Sequence, residues 1–308
     1  MVGLFLDASE ALAAVLAKVR RASDPAVDVN MAAQVDPARF PDLLPGYDFV
    51  LNDHTFMPAQ SLHACPGLRH VIFLGTGARS YMDPDALAAQ GVQVHTIRGY
   101  GDVAVAEHAA ALMMSAARGL ARMDRGVRAG AWPRTEGMQL RGKTLGLLGY
   151  GGIAAEMARI GQGIGMKVLA WNRTPRTADG VRFVPLEQLL ADSHVLSVHL
   201  LLTDDTRGFL DATRLAALRP GAILVNTARG ALVQEDALLD ALRRGHLAHA
   251  ALDVFDQEPL PPGHPLTLLD NVTLSAHSAF RTPEANEALI RRALDIACNL
   301  PPPQVAQP

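Results

Sequence analysis

Short apolar runs of four to seven residues alternate along this chain with longer segments whose apolar residues recur at helical spacing. The short runs are bounded by turn residues and are too brief for helices, so they predict strands. The predicted strands are residues 2–6, 47–51, 70–74 and 92–97 in the first third of the chain, and 144–148, 167–171, 194–200, 222–225, 248–254 and 271–275 in the remainder.

Most of the later runs are apolar almost throughout, which is typical of strands covered on both faces in a parallel sheet. Helical segments fit between them. The segment 234–244 has Glu235 and Asp236 in its first turn and Arg243 and Arg244 in its last, as the helix dipole favours. The order of strand, helix and strand predicts an α/β protein with doubly wound parallel sheets.

Two Rossmann-like domains are predicted, with a cleft between them. A glycine-containing joint at residues 98–101 is followed by a long helix at residues 103–121, rich in Ala and Met. A last helix, at 283–298, is expected to return to the first domain and make it discontinuous. The predicted domains are therefore a substrate-binding domain of residues 1–98 and 283–308, and a dinucleotide-binding domain of residues 99–282.

The first predicted helix follows the first strand directly. Asp7 and Glu10 have the spacing of a capping box, so we expect them to open a helix that runs to about Arg20.

Composition favours small-molecule chemistry. Hydrophobic residues make up 49% of the 308 residues and the net charge is −3, with no basic run to attract nucleic acid or a membrane surface. No segment has the apolar length of a membrane span, and the N-terminus lacks the basic region of a signal peptide. Cys65 and Cys298 are too few for a disulfide framework. These features predict a cytoplasmic protein.

The segment LGLLGYGGIAAEMARIG contains a dinucleotide-binding pattern, G-x-G-x-x-G/A, at Gly149, Gly151 and Ala154. It follows a predicted strand and opens a helix, where backbone N–H groups can meet a pyrophosphate. The alternative is a glycine-rich turn without a ligand. The context favours the nucleotide site.

The end of the next strand indicates which nucleotide is preferred. NAD-binding folds usually carry an acid there, but this chain has Asn172, Arg173 and Thr174. Arg173 can pair with a 2′-phosphate, and Thr174 and Arg176 can add donors. The alternative places Arg173 in a solvated loop. NADP(H) is favoured and NAD(H) is possible.

Three further polar residues follow three successive predicted strands: Arg229, Glu258 and His277. Ligands of open parallel sheets bind beyond the carboxyl ends of the strands, so these side chains are expected to converge. Arg can hold a carboxylate, His can exchange a proton, and a nearby Glu favours protonated His. Taken singly, each has an alternative: Arg229 could form a surface ion pair, Glu258 could lie in an ordinary loop, and His277 could be a core histidine.

Metal and hydrolase chemistry have little support. His63, Cys65 and His70 lie close in sequence, as do His246 and His249, but neither set has a recognised zinc spacing. No GxSxG motif is present. No metal is therefore predicted.

Seven ordered stretches resemble the D-isomer-specific 2-hydroxyacid dehydrogenases, and they cover residues from about 70 to 290. Two of them contain the glycine turn and the residues around His277. The stretches are FLGTGARSYMD, VAVAEHAAALMMSAARG, LGLLGYGGIA, HLLLTDDTRGFL, NTARGALVQEDAL, ALDVFDQEPLP and NVTLSAHSAFRTPEA.

The resemblance implies a role for each of the three polar residues. Arg229 would hold the substrate carboxylate, His277 would protonate the carbonyl oxygen as general acid, and Glu258 would orient and charge His277. It also implies that the backbone N–H groups of Gly75, Thr76 and Gly77 bind the carboxylate.

The resemblance further implies a set of cofactor contacts, in which Asp253 would meet the nicotinamide carboxamide. Helix 103–121 would form a homodimer interface, although the same residues could simply pack inside their own domain. Leu201 and Ala276 depart from prolines that are usual in the family. The implied cofactor-binding residues are Gly149, Tyr150, Gly151, Gly152, Ile153, Asn172, Arg173, Thr174, His199, Leu200, Thr206, Thr227, Ala228 and Asp253.

The activity that the resemblance implies is reduction of a small 2-ketoacid to the D-2-hydroxyacid by hydride transfer. Glyoxylate and hydroxypyruvate are the favoured substrates. Two alternatives remain: oxidation of a different small anion such as phosphite, and a nucleotide-sensing interaction protein built on the same fold.

Overall fold

The computed structural model describes residues 1–301, and the predicted end of the first domain, 302–308, lies outside them. The chain forms two compact units. The first contains Met1–Gly101 together with the segment that begins at Thr282, and the second is Asp102–Arg281. The first unit is therefore built from two separated stretches of chain.

The sheet of the first unit has five parallel strands in the order β2-β1-β3-β4-β5. In its register, Phe5 of the first strand lies opposite Val29 on one side and Leu51 on the other. The strands are β1 (Val2–Ala8), β2 (Ala26–Met31), β3 (Phe49–Asn52), β4 (His70–Phe73) and β5 (Gln93–Thr96).

Helices cover both faces of this sheet because alternate residues of its strands are apolar on each face. Leu4 and Leu6 of β1 join a cluster with Phe40, whereas Phe5 joins one with Ile290 on the opposite face. The helices are α1 (Glu10–Val19), α2 (Phe40–Leu43), α3 (Pro84–Ala88) and, from the end of the chain, α10 (Pro283–Cys298).

The predicted capping box at the start of α1 is wrong. The cap is Ser9, whose hydroxyl accepts the backbone N–H of Leu12. The Asp7 carboxylate instead accepts the backbone N–H groups of residues 53–55, beyond the end of β3. Burial raises the pKa of Asp7 above its usual value.

The sheet of the second unit has seven parallel strands in the order β12-β11-β10-β9-β6-β7-β8. Strands β7 and β8 are added on one side of β6, and β9 to β12 are added on the other. The strand order therefore reverses between the adjacent strands β6 and β9, as in a dinucleotide-binding sheet. The strands are β6 (Thr144–Leu148), β7 (Lys167–Trp171), β8 (Val181–Phe183), β9 (Val195–Val198), β10 (Ala222–Asn226), β11 (Leu247–Leu252) and β12 (Val272–Leu274).

Helices also cover both faces of the second sheet. Ile223 and Val225 of β10 pack in one apolar cluster with the helix that begins at Asp102, and Leu224 packs in the other. The helices are α4 (Asp102–Arg118), α5 (Leu120–Arg128), α6 (Gly152–Gly163), α7 (Leu186–Asp192), α8 (Ala212–Ala216) and α9 (Glu235–Arg243).

The single helix predicted at 103–121 is two helices in the structure. Gly119 separates α4 from α5 with a φ of 62°, in the left-handed region that glycine adopts without steric cost. Two of the four edge strands, β2 and β8, were not predicted. Little of either strand is buried, since Val27 is the one buried residue of β2 and β8 has none, so neither forms an apolar run.

None of the helices within residues 1–301 has the length and apolar character that a membrane crossing requires. Cys65 and Cys298 are both free thiols. In the same part of the chain, no group of three or more His, Cys, Asp or Glu residues is placed to hold a metal ion.

Candidate active site

Three neighbouring strands of the second sheet lead into the predicted catalytic residues. Arg229 follows β10, Glu258 follows β11 and His277 follows β12, and these strands lie side by side in the order β12-β11-β10. Because the strands are parallel, their carboxyl ends lie at one edge of the sheet.

His277 and Glu258 form the closest pair in this group. The Nδ1 atom of His277 lies 2.6 Å from Oε2 of Glu258. The other carboxylate oxygen of Glu258 accepts the backbone N–H of Phe255 at 2.9 Å. Phe280 packs its ring edge-to-face on the imidazole, with 6.2 Å between centroids. The Nε2 atom of His277 has no partner among residues 1–301, so it is available to a ligand.

The backbone of His277 is held by one residue, Asp253. His277 has a φ of 46°, which is unusual for a residue with a side chain. Its N–H donates to the backbone oxygen of Asp253, and the carboxylate of Asp253 accepts the N–H groups of Ser278 and Ala279. The Ser275 hydroxyl donates to the same carboxylate at 2.6 Å. These bonds compensate for the strained conformation.

Asp253 was predicted to contact the nicotinamide carboxamide. In the structure its side chain is fully buried, and both carboxylate oxygens accept hydrogen bonds from within the protein. The residue therefore positions the His277 loop. None of these hydrogen bonds supports a direct contact between Asp253 and the cofactor.

Arg229 lies in a turn held by the buried Asn226. The Asn226 side chain accepts the Ala228 N–H and donates to the Arg229 carbonyl oxygen. The Arg229 guanidinium donates only to the Ala228 carbonyl oxygen, at 2.6 Å, and it forms no ion pair within the described chain. Its remaining donors are free for a planar anion such as a carboxylate.

The Arg229 turn and the Glu258 loop touch at Gly230. A Cβ atom on Gly230 would lie 2.0 Å from the carbonyl carbon of Phe255. Only glycine allows this approach, which brings the two loops together.

The glycine turn has the form that the sequence motif requires. Gly149 has a φ of 90°, and a Cβ there would lie 2.7 Å from the His199 carbonyl oxygen. Helix α6 begins at Gly152 with no side-chain cap, so its first N–H groups are open to an anion. The carboxylate of Asp102 lies against Gly152, where a Cβ would approach its Oδ2 atom within 1.8 Å.

The loop after β7 contains the residues predicted to contact the cofactor ribose and its 2′-phosphate. The Asn172 side chain accepts the Tyr150 N–H and donates to the Thr174 carbonyl oxygen, so its amide is used within the protein. Arg173 and Thr174 are exposed. No ion pair of Arg173 is found in residues 1–301, so its charge is open to a phosphate.

The other predicted cofactor residues differ in what their side chains do. The Thr227 hydroxyl is buried and has no partner in residues 1–301, whereas the Thr206 hydroxyl donates to the Leu201 carbonyl oxygen. The His199 Nε2 atom lies 2.9 Å from the Ser197 hydroxyl, and burial lowers the pKa of His199 to about 4, so the ring is neutral at pH 7. The remaining residues are Tyr150, Gly151 and Ile153 in the glycine turn and Leu200 and Ala228 after β9 and β10.

These features fit a nicotinamide dinucleotide. Gly149, which cannot carry a Cβ, and the uncapped start of α6 form a cradle for a pyrophosphate. The orphaned Thr227 hydroxyl supplies a polar group that lacks a partner within the described protein.

The predicted carboxylate-binding loop lies in the first unit, after β4. The Gly75 N–H donates to the Phe73 carbonyl oxygen, so it is already used. The N–H groups of Thr76 and Gly77 form no hydrogen bond in the part of the chain described. These two groups remain available as donors.

Sequence reasoning missed Asn226, Ser275 and His108. The Nε2 atom of His108, on α4, lies 2.9 Å from the Ser275 hydroxyl. No local motif marks this pair, because 167 residues separate its members.

Comparisons with known proteins identify the family of the chain. Residues 110–279 match the family model described as D-isomer specific 2-hydroxyacid dehydrogenase, NAD binding domain. A glyoxylate reductase from Aeropyrum pernix is 40% identical over 78% of this chain and 74% of its own length. A hydroxypyruvate reductase from Blautia hydrogenotrophica is 32% identical over 82% of this chain and 80% of its own.

Solved structures of similar fold point to the same family. The crystal structure of a glyoxylate reductase from Paecilomyes thermophila superposes with a TM-score of 0.83 at 27% identity, covering 96% of this chain and 93% of that one. The chain therefore belongs to the D-isomer-specific 2-hydroxyacid dehydrogenase family, whose members are oxidoreductases that use a nicotinamide cofactor.

Proposed function

We propose that the protein reduces glyoxylate or hydroxypyruvate to the corresponding D-2-hydroxyacid, with His277 as the general acid. The observation that carries the proposal is the 2.6 Å contact between His277 Nδ1 and Glu258 Oε2. This contact fixes the imidazole through one nitrogen and leaves the other for the substrate oxygen. A bound nicotinamide supplies the hydride that such a reduction needs.

The protein residues have separate tasks in this proposal. The Arg229 guanidinium binds the substrate carboxylate and orients the C2 carbonyl. His277 donates its Nε2 proton to the carbonyl oxygen as the oxygen gains negative charge. Glu258 holds the ring and balances the charge of protonated His277.

NADPH is the proposed reductant. Arg173 is exposed and unpaired in residues 1–301, and no acid stands at the end of β7 to repel a 2′-phosphate. NADH remains usable in the proposal, because a lost carboxylate weakens NAD binding without blocking it.

Small substrates are proposed because two similar enzymes are named for them, glyoxylate reductase and hydroxypyruvate reductase. The test is steady-state loss of reduced-nicotinamide absorbance with glyoxylate, hydroxypyruvate, pyruvate and phenylpyruvate, using NADPH and NADH in parallel. We expect kcat/KM for glyoxylate or hydroxypyruvate to exceed that for phenylpyruvate at least about tenfold. Preference for phenylpyruvate would reject the substrate assignment.

The catalytic roles are tested by replacing His277 or Arg229 with Ala. We expect each change to lower kcat/KM about 10²- to 10⁴-fold while the cofactor Kd, measured by calorimetry, stays within about twofold. A wild-type rate in His277→Ala would reject the general-acid role. An equal loss of cofactor affinity would contradict the assignment of both residues to the substrate.

We also propose a homodimer through α4 and α5. Five of the twelve exposed large apolar side chains of residues 1–301 lie on these two helices and the segment after them, and clustered exposed apolar side chains are typical of an interface. These are Val103, Met114, Leu120, Val127 and Trp132. Sedimentation equilibrium is expected to give twice the 32.8 kDa chain mass, and a monomer at all concentrations would reject the proposal.

A further inference from the structure

A histidine outside the proposed catalytic group is hydrogen-bonded to the base of the catalytic loop. His108 lies on α4, which packs against β10, β11 and β12. Its Nε2 atom is 2.9 Å from the Ser275 hydroxyl and 3.4 Å from Oδ1 of Asp253. The Asp253 side chain is fully buried, whereas about 29% of the His108 side chain is exposed.

The direction of the hydrogen bonds follows from the groups present. An ionised carboxylate only accepts, so the Ser275 hydroxyl must give its one proton to Asp253 at 2.6 Å. The same hydroxyl can then only accept from His108. The Nε2 atom of His108 therefore carries a hydrogen, whether the ring is neutral or cationic.

Asp253 connects the Ser275 hydroxyl to the catalytic loop, residues 277–279. The N–H groups of His277, Ser278 and Ala279 donate to its backbone oxygen, Oδ1 and Oδ2. Oδ1 also takes the Ser275 hydroxyl. If that hydroxyl rotates away, Oδ1 loses the shorter of its two hydrogen bonds, and the carboxylate is held only by the N–H groups of the loop that it positions.

We propose that His108 is a positioning residue for the reaction. Its Nε2–H donates to the Ser275 hydroxyl and so keeps that hydroxyl hydrogen-bonded to Asp253. Asp253 in turn holds the His277 backbone where the imidazole can contact Glu258. The proposal rests on the proposed role of His277. His108 touches no reacting atom in this account. Its effect is on the rate of proton transfer, since small displacements of a general acid are costly.

The experiment compares two substitutions at His108 with one control substitution, all in the full-length protein. His108→Leu keeps much of the bulk but has no donor. His108→Gln keeps an amide N–H at a similar reach. Glu187→Gln is the control, because Glu187 is an exposed glutamate on α7, outside the proposed site and the proposed dimer interface.

We expect His108→Leu to lower kcat about tenfold or more, with the cofactor Kd within about twofold and the melting temperature within about 4 °C of wild type. His108→Gln should recover most of kcat, and Glu187→Gln should match wild type. Equal kcat losses in the Leu and Gln variants, or none in the Leu variant, would overturn the proposal.

Ser275→Ala provides a second test because it removes the middle of the same chain of bonds. The double variant of His108→Leu and Ser275→Ala should be no slower than the slower single variant, since either change breaks one connection. Multiplied losses in kcat would show that the residues act independently and would overturn the proposal.

Nitrogen NMR gives a readout that does not depend on activity. Long-range ¹H–¹⁵N spectra of labelled protein should show His108 protonated at Nε2, and a neutral Nδ1–H ring would reject the bond direction. If His277→Ala keeps full activity, the proposed function fails. If His277→Ala is inactive and His108→Leu is not impaired, only the positioning proposal fails.

Discussion

His277 Nδ1 lies 2.6 Å from Glu258 Oε2, and Glu258 is itself fixed by the Phe255 backbone N–H at 2.9 Å. The carboxylate therefore links the imidazole to the backbone after β11. This link holds the ring in one orientation and sets which nitrogen faces the substrate.

Glu258→Gln should lower kcat for ketoacid reduction about 10- to 100-fold, less than the loss of His277 itself. The amide retains an acceptor for the Phe255 N–H but has no charge to stabilise protonated His277. Steady-state kinetics check this expectation, with Asp256→Asn as the control because Asp256 is exposed in the same loop. A wild-type kcat in Glu258→Gln would remove Glu258 from the mechanism.

Arg173→Ala should weaken NADPH binding about tenfold or more and change NADH binding by less than about twofold, because only the 2′-phosphate needs the guanidinium. Fluorescence titration of both reduced cofactors measures the difference. Arg182→Ala is a suitable control, since Arg182 is an exposed arginine on the edge strand β8. Parallel loss of both affinities would mean that Arg173 does not select the phosphate.

Gly230→Ala should reduce both stability and activity. The added methyl group would meet backbone atoms of Phe255 and Asp256 at 2.0–2.4 Å, which cannot rotate away, so the Arg229 and Glu258 loops must separate. We expect a cost of about 1–3 kcal/mol in the free energy of unfolding and a large fall in kcat. Gly163→Ala, at the end of α6, is the control: a Cβ there has no heavy atom within 4 Å, and Ala is a better helix former than Gly, so this change should not destabilise the protein.

Arg291→Leu should destabilise the protein by about 3–5 kcal/mol, measured by urea unfolding at pH 7. Arg291 on α10 makes two 2.7 Å bonds to Asp24, whose side chain is 2% exposed, so the change leaves a buried carboxylate without its cationic partner. Glu287→Gln is the control, because it breaks the exposed pair with Lys18 and should cost about 1 kcal/mol or less.

The same pair gives a pH dependence. Arg291 holds the pKa of Asp24 below its usual value, so the pair stabilises the fold at neutral pH, and this contribution is lost as the pH falls below about 4. The melting temperature of wild type should therefore fall more steeply in acid than that of Arg291→Leu. Equal slopes would contradict the pairing.

The sequence could predict the parts of the fold that depend on local pattern. The apolar runs of β6 and β7 match the observed bounds, and the polar residues after β10, β11 and β12 follow from the rule for parallel sheets. The errors have long-range causes. Asp7 has the spacing of a cap, but its carboxylate bonds with residues 53–55, which no local pattern encodes.

The residues that position the candidate site could not be predicted from the sequence either. Asn226 and Ser275 look like ordinary strand-end residues, and His108 looks like one polar residue on an Ala-rich helix. Their roles arise from contacts across the second unit, which depend on strand order and not on spacing along the chain.

The single acceptor residue beneath the His277 loop also determines how that loop exchanges with solvent. Three consecutive backbone hydrogens end on the three oxygens of Asp253. Deuterium cannot replace one of them by a small local fluctuation, because releasing one amide requires the shared residue to move. The amides of His277, Ser278 and Ala279 should therefore exchange at one common rate, and the loop opens as a unit or remains closed.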